Sequence, residues 1–377
     1  MNLFFIFAII ILSIIHGTVG LRIIPYLNLN YNIKIVTWCC IVLLAALPII
    51  PIILRSKGFE DEVVDWFSWA GYLSLGFFVL TFLAVVTKDL IYLVIGLLTK
   101  ITAAIGSPSS PTDPGRRDFI QKILSISIVT TTSVSTIAGL YAARKGATIM
   151  KTTVPIKGLD KDLSGMTIAQ VSDLHIGPTI KKGYVEEVVD QVNRLNPDII
   201  AITGDLVDGS VGYLSKHVEP IKDLHANIGK YFVTGNHEYY SGVDQWLEKT
   251  DQYGLTNLID SHEIITKGSG SITLGGVTDY RSSSIKPEHK SNPATAFYGA
   301  PENIPKILLA HQPWSIFDAH KVGADLQLSG HTHGGQFWPF VYAVRMANPY
   351  TSGLHDHDGT WIYVNRGTGY WGPPMRL

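Results

Sequence analysis

Two stretches near the start of the chain, Ile33–Leu54 and Phe67–Thr87, each supply about 20 apolar residues, the length needed to cross a bilayer. In hydrocarbon every backbone polar group must be satisfied within the chain, so such runs can only be helices. Leu3–Ile15 is almost entirely apolar and extends towards Ile24, and Leu90–Ile105 is a fourth run with Lys100 near its end, where its ammonium can snorkel to the headgroups. Residues 1–105 therefore read as a transmembrane helical region of about four spans. Further spans follow the first and no small-residue cleavage site stands out, which argues against a cleaved signal peptide. None of the spans holds a buried pair of opposite charges, so a transport role with an accessory domain finds no support.

A Pro/Ser/Gly linker is expected over 106–118, ending in the paired Arg116 and Arg117. Residues 119–143 form a Ser/Thr-rich, moderately apolar run. This is either a fifth span or a twin-arginine-type export signal, with paired arginines, Phe119, Ile120 and Lys122 ahead of a weak hydrophobic segment. Both readings keep Arg116 and Arg117 cytoplasmic and put everything after Ala143 outside the cell membrane. Four spans counted back place the N-terminus in the cytoplasm, although Arg22, Lys34, Lys88, Arg144 and Lys145 then lie on the outer side.

From about Lys151 the texture is that of an α/β domain, expected over 151–377. Apolar strands are expected at 166–172, 198–203, 230–234, 262–265, 272–277, 306–310, 324–328 and 361–365. Helices are expected at 181–195, 211–224 and 243–253, the first from the helical spacing of Val185, Val188, Val189 and Val192. Alternating strands and helices followed by shorter strands predict a layered αββα arrangement. The net charge of −1 supplies no basic field for nucleic acid. Both cysteines, Cys39 and Cys40, fall inside an apolar run, so the second half has neither a disulfide framework nor a thiol nucleophile.

The strands of the second half end in metal-grade side chains. Asp173 and His175 follow the first, and residues i and i+2 of an extended chain point the same way. Asp205, then Asn236 and His237, then His311, then His331 and His333 follow later strands, with Gly204, Gly235 and Gly330 placed ahead of them. Asp173, Asp205 and Asn236 are spaced 32 and 31 residues apart, one βαβ unit each. Ligands at such positions lie outside the carboxyl ends of the strands, where α/β sites form. A mixed Asp/Asn/His set without thiolate suits Mn, Fe or Zn, and seven donors suit two ions, which act as a clamp for displacement at phosphorus when about 3.5–4 Å apart.

These blocks resemble, in order, the five motifs of the calcineurin-like metallophosphoesterase superfamily: Asp173-Leu-His175, Gly204-Asp205-Leu-Val-Asp208, Gly235-Asn236-His237-Glu238, Ala310-His311 and Gly330-His331-Thr-His333. The resemblance covers about 160–377 and is nearest to the membrane-attached bacterial branch, some of whose members carry twin-arginine signals. It implies a four-layer αββα sandwich and two divalent metal ions, manganese favoured. Asp173, His175 and His333 would hold the first ion, Asp205 would bridge, and Asn236, His311 and His331 would hold the second. His237 would protonate the leaving oxygen, with Asp208 orienting it. The implied activity is hydrolysis of a phosphoester or pyrophosphate bond in a phosphorylated small molecule or lipid, with membrane lipids as the other partner. The rival reading is a membrane sensor or scaffold that only binds metal. Glu238, Tyr239 and Tyr240 read as helix-start and pocket-wall residues, His355-Asp356-His357-Asp358 as a solvated hairpin turn, and Arg366 as a loop arginine. Family members generally continue past this point with a last strand completing a sheet, whereas this chain stops at Leu377, so that strand is either dispensable or missing.

Overall fold

The structure is a computed structural model that describes residues 3–105 and 113–377. It divides into two compact units: one holds the chain up to Tyr141 together with Gly372–Met375, the other Ala142–Trp371 with Arg376–Leu377.

The first unit is helical: α1 (Leu3–Ile23), α2 (Tyr31–Ala46), α3 (Ile49–Ser56), α4 (Glu62–Ala104) and α5 (Pro114–Arg144). Among the described residues four stretches are long and apolar enough to cross a membrane: Ile6–Leu27, Tyr31–Ser56, Glu62–Ala104 and Pro114–Arg144. The runs Phe67–Thr87 and Leu90–Ile105, expected as separate spans, lie on one helix of 43 residues, about 65 Å long. Only Lys88 and Asp89 separate them, and neither residue breaks a helix. Asp61 starts α4 by accepting the Val64 N–H at 2.8 Å, an ordinary N-cap. Val19, Ile23, Ile41, Phe78 and Val85 pack as an internal cluster, while Leu93, Val94, Leu97, Leu98 and Ile101 face outwards, as lipid-facing residues would. Of the expected linker, residues 106–112 lie outside the described residues, and Pro114–Asp118 belong to α5.

The second unit holds two sheets. The first is parallel, in the order β1 (Ile168–Val171), β2 (Ile199–Thr203), β3 (Gly229–Val233), β4 (Thr256–Asn257). Its crossovers carry α6 (Lys182–Arg194), α7 (Val211–Val218), α8 (Asn236–Ser241) and α9 (Val243–Gln252). The second, mixed sheet comprises β5 (Ser261–Lys267), β6 (Gly270–Gly276), β7 (Lys306–Leu309), β8 (Leu326–Ser329), β9 (Gly353–His357) and β10 (Thr360–Val364), in the order β5-β6-β7-β8-β10-β9. Three helices accompany it: α10 (Pro293–Ala296), α11 (Ile316–Lys321) and α12 (Phe340–Ala347).

Strand alternation builds the layers. Ile200, Ile202 and Phe232 face one way, into a core with Val185, Val188, Val189 and Leu214 of the helices. Ile199, Ala201, Tyr231 and Val233 face the other way and meet Leu274, Ile307, Leu309 and Leu328 of the second sheet. On that sheet's far side Leu308 packs with Ala296, Phe297 and Ala319. The result is helix, sheet, sheet, helix, the expected αββα stack. Strands β4 and β9 went unforeseen because neither carries an apolar run: β4 is two residues long and β9 reads Gly-Leu-His-Asp-His.

Candidate metal centre

The ligand residues sit in backbone conformations that side chains rarely adopt. Asp173, His175, Asp205, His331 and His333 all have φ between 49° and 71°. That left-handed region costs a non-glycine residue about 1–2 kcal/mol, and residues are held there when surrounding bonds over-determine them. Here those bonds are visible. The Asp173 N–H donates to Gly204 O and the His175 N–H to Asp205 O, each at 3.0 Å, sewing the loop after β1 to the loop after β2. The loop after β10 straps the same turn, with Thr368 N–H on Ser172 O at 2.7 Å and Gly369 N–H on Asp173 O at 3.0 Å. The His331 N–H donates to the Asp173 carboxylate at 2.9 Å, joining the second sheet's ligand loop to the first sheet's. Gly330 permits this approach, since a Cβ there would overlap Ser172 Oγ and Asp173.

Sequence-predicted donors from four loops come together. Asp173, His175 and His333 form one cluster and Asp205, His311 and His331 another, each with ligand atoms within 4.8 Å of one another. Asp205 Oδ2 lies 3.1 Å from His311 Nε2 and 3.7 Å from His175 Nε2, touching both clusters. His311 Nδ1 donates to the Thr203 carbonyl at 2.8 Å, and its Nε2 faces both Asp205 Oδ2 and His331 Nδ1, the latter 3.3 Å away. Burial opposes charge on His311, but the Asp205 carboxylate outweighs it and raises its pKa well above the usual imidazole value. His175 Nε2 similarly faces His333 Nε2 at 3.0 Å. The Asn236 Oδ1 is buried without a hydrogen-bond partner. The buried Asp173 and Asp205 carboxylates, the converging imidazole nitrogens and the unpartnered amide oxygen make a donor set whose buried charge cations would balance. The residues present therefore fit divalent ions.

Asp208 lies between two imidazoles, its Oδ1 3.0 Å from His175 Nδ1 and 2.5 Å from His237 Nδ1. Burial works against its charge, yet His175 and His237 hold its pKa well below the usual carboxylate range. Burial also opposes the charge on His237, but Asp208 and Asp205 outweigh it and raise that pKa to about 10. Burial and the proximity of His311 push His331 down to about 3. Near pH 7 these shifts favour a protonated His237 and a neutral His331. The His237 ring meets Tyr240 and Trp371 edge-on, at centroid distances of 5.3 and 5.6 Å.

Sequence reasoning underrated Glu238. Its buried carboxylate accepts four backbone N–H groups: Asp205 at 2.9 Å and Gly235 at 2.7 Å on Oε2, Leu206 at 2.8 Å and Val207 at 3.3 Å on Oε1. Burial and the Asp205 carboxylate push its pKa up to about 7, while the N–H groups of Gly235 and Asp205 pull it down. It is the peg on which the Asp205 loop hangs. The available signal was its place in the first turn of a helix after glycine, where a carboxylate reaches back to free N–H groups. Arg376 was also missed: half-buried, it donates to the carbonyls of Arg366, Gly367 and Gly369 and so holds the strap over Asp173. The segment 355–358 forms the β9–β10 hairpin, with Asp358 and Gly359 at positive φ; His355 Nε2 contacts Ser352 O at 2.9 Å, and His357 Nδ1 contacts Tyr350 OH at 3.1 Å.

Comparison with known proteins agrees with this geometry. The profile of the calcineurin-like phosphoesterase family matches residues 166–335. A zebrafish (Danio rerio) transmembrane protein with metallophosphoesterase domain is 32% identical over 327 residues, covering 84% of this chain and 72% of that protein. Its bovine (Bos taurus) namesake is 33% identical, covering 82% and 71%. An uncharacterized metallophosphoesterase of Helicobacter pylori is 38% identical over 246 residues, covering 63% of each chain. With four apolar helices ahead of the matched domain and transmembrane relatives aligned along most of its length, this chain is a membrane-associated member of the calcineurin-like phosphoesterase family.

Proposed function

We propose that the chain is a binuclear metal-dependent phosphoesterase that hydrolyses a phosphoester or pyrophosphate bond of a lipid-linked or envelope substrate. The observation that carries this is Asp205 Oδ2, placed against His311 of one cluster and His175 of the other. Asp173, His175 and His333 would hold one ion, Asn236, His311 and His331 the second, and Asp205 both; the mixed Asp/Asn/His, thiolate-free set suits Mn, Fe or Zn, with manganese favoured. Two such cations, when bound, supply Lewis acidity at the phosphoryl oxygens and activate water for attack. The protein's own part is to place the ligands, through the Glu238 peg and the strap over Asp173. His237 carries a proton on Nε2 to the leaving oxygen, and Asp208 on Nδ1 orients the ring and stabilises its charge. The setting proposed is the bacterial membrane branch, with Arg116 and Arg117 opening either a fifth span or a twin-arginine-type signal and the catalytic unit facing outwards, since both readings keep the basic start of α5 cytoplasmic.

The test uses the full chain in detergent, with Mn-dependent hydrolysis of bis(p-nitrophenyl) phosphate and of an alkyl phosphodiester. Asp205→Ala should abolish turnover of both and lower bound metal. His237→Ala should spare the nitrophenyl ester relative to the alkyl ester, because only the alkoxide needs its proton. A folded, metal-loaded protein that turns over neither substrate, nor a screen of lipid phosphates, would remove the hydrolase reading in favour of a metal-binding scaffold.

A further inference from the structure

One part of the catalytic unit does not follow the rule that apolar faces are packed. Helix α12 reads Phe-Val-Tyr-Ala-Val-Arg-Met-Ala and has no buried residue. Tyr342 and Met346, one turn apart on it, and Trp338, just ahead of it, are 56%, 89% and 59% exposed. The segment is nevertheless well anchored. Gly335, at φ +82°, lets the backbone of Val341 approach where a Cβ would collide. Phe337 is buried and meets the Phe340 ring edge-on at 4.9 Å. At the far end Trp314 Nε1 donates to Ala347 O at 3.0 Å. The Gln336 amide bonds both the N–H and the carbonyl of Trp371, each at 3.0 Å. Trp371, half exposed itself, is the residue whose ring meets His237. An ordered apolar ledge thus runs from the proton-carrying histidine to Met346.

Three observations say what covers it. The catalytic unit begins at Ala142, inside the last turn of α5, so no spacer separates it from a helix long enough to cross a membrane. Trp and Tyr with an adjacent arginine are the residues that settle at a headgroup boundary, rings below and cation above. Finally, no acidic residue occurs between His331 and Asp356, whereas Arg345 and Arg366 are exposed, which complements an anionic lipid surface.

We propose that residues 336–347 form an interfacial docking element that inserts Trp338, Tyr342 and Met346 into an anionic lipid surface beside the metal centre. It would hold the mouth of the site at the headgroup level, where a phosphate carried on a lipid is presented. The inference adds a membrane contact to the catalytic unit and stands apart from the reaction assigned above.

The experiment places an environment-sensitive nitrobenzoxadiazole label on Met346→Cys in the full chain, with Cys39→Ala and Cys40→Ala removing the native thiols. The protein is reconstituted in phosphatidylcholine vesicles with and without phosphatidylglycerol, and Tyr298→Cys, on a residue 86% exposed, provides the aqueous reference. Expected are a blue-shifted emission at position 346, quenching by shallow spin-labelled lipid, and iodide quenching about fivefold or more below the reference, all strengthened by phosphatidylglycerol. Iodide quenching equal to the reference would overturn the proposal. So would a label shielded from iodide yet untouched by spin-labelled lipid, which would assign the face to a second copy or another protein. Turnover of bis(p-nitrophenyl) phosphate by the labelled chain reports the fold and the chemistry separately: a lipid-buried label on a chain without turnover supports docking and counts only against the phosphoesterase reading.

Discussion

Replacing Glu238 with Gln tests whether that side chain is structural support for the metal centre or a bystander. The shapes match and the charge is lost, but the deciding change is one of hydrogen-bond polarity. Each carboxylate oxygen accepts two backbone N–H groups, from Asp205 and Gly235 on one side and from Leu206 and Val207 on the other. The Gln amide offers one oxygen and one NH2, so either orientation points a donor at two N–H groups. A buried donor left unpaired costs about 1–3 kcal/mol. The orientation that gives up Leu206 and the longer Val207 bond, 3.3 Å, loses least, so about 2–4 kcal/mol is expected once the loop relaxes. For a domain of this size that is a fall in Tm of about 4–16 °C, read by thermal unfolding of the full chain in detergent. Because Asp205 is one of the residues unhooked, Mn affinity should weaken in the same variant, measured by titration of the apoprotein. A Tm within about 2 °C of the parent, with unchanged Mn affinity, would refute the peg. A lower Tm with unchanged affinity would restrict Glu238 to folding.

Three further outcomes are expected. Asp208→Asn keeps an oxygen for the two imidazoles but removes the charge that holds His237 protonated, so kcat on an alkyl phosphodiester should fall about 10²–10³-fold. Because Asp208 helps to raise the His237 pKa to about 10, and the acid works only while protonated, the alkaline limb of the pH–rate profile should move to lower pH in that variant. Removing metal with EDTA should lower the Tm of the parent, since ions bound to the folded cluster stabilise it by about 4 kcal/mol at a thousandfold excess over Kd; readdition of Mn should restore it, and Asp205→Ala should respond to neither step. Asp198→Asn tests an ordinary structural pair. Burial opposes the Asp198 charge, but the Thr167 N–H and Lys267, at 2.9 Å each, hold its pKa below the usual carboxylate value. A depressed folded pKa gives stability that is present above the unfolded value, about pH 4, and lost as pH falls through the folded one. The variant should therefore be less stable by about 1 kcal/mol at neutral pH, the gap closing in acid during urea titrations.

Much of the metal centre could be foreseen from residue types alone, because each donor follows an apolar run and the chemistry of Asp, Asn and His does not depend on context. Asp173, His175, Asp205, Asn236, His237, His311, His331 and His333 are adjacent in space because each lies at the carboxyl end of a strand, and parallel strands bring those ends to one edge. Glu238 was harder to value, since its partners are backbone N–H groups some 30 residues away and no side-chain pattern marks them. The left-handed φ values of five ligand residues were equally hidden: apart from glycine, sequence does not announce a strained turn that other loops enforce.

By itself, then, the sequence determined the apolar helices, the alternation of buried strands and the inventory of donors, because periodicity and side-chain chemistry are local properties. Tertiary structure alone decided which sheet faces meet, that Asp208 lies between two imidazoles, that the loop after β10 is tied down over Asp173 by Arg376, and that α4 continues through Lys88 and Asp89. It also decided that no residue of α12 is buried. Such features depend on contacts between residues distant in the chain, and the free energy of those contacts exists only once the layers have packed.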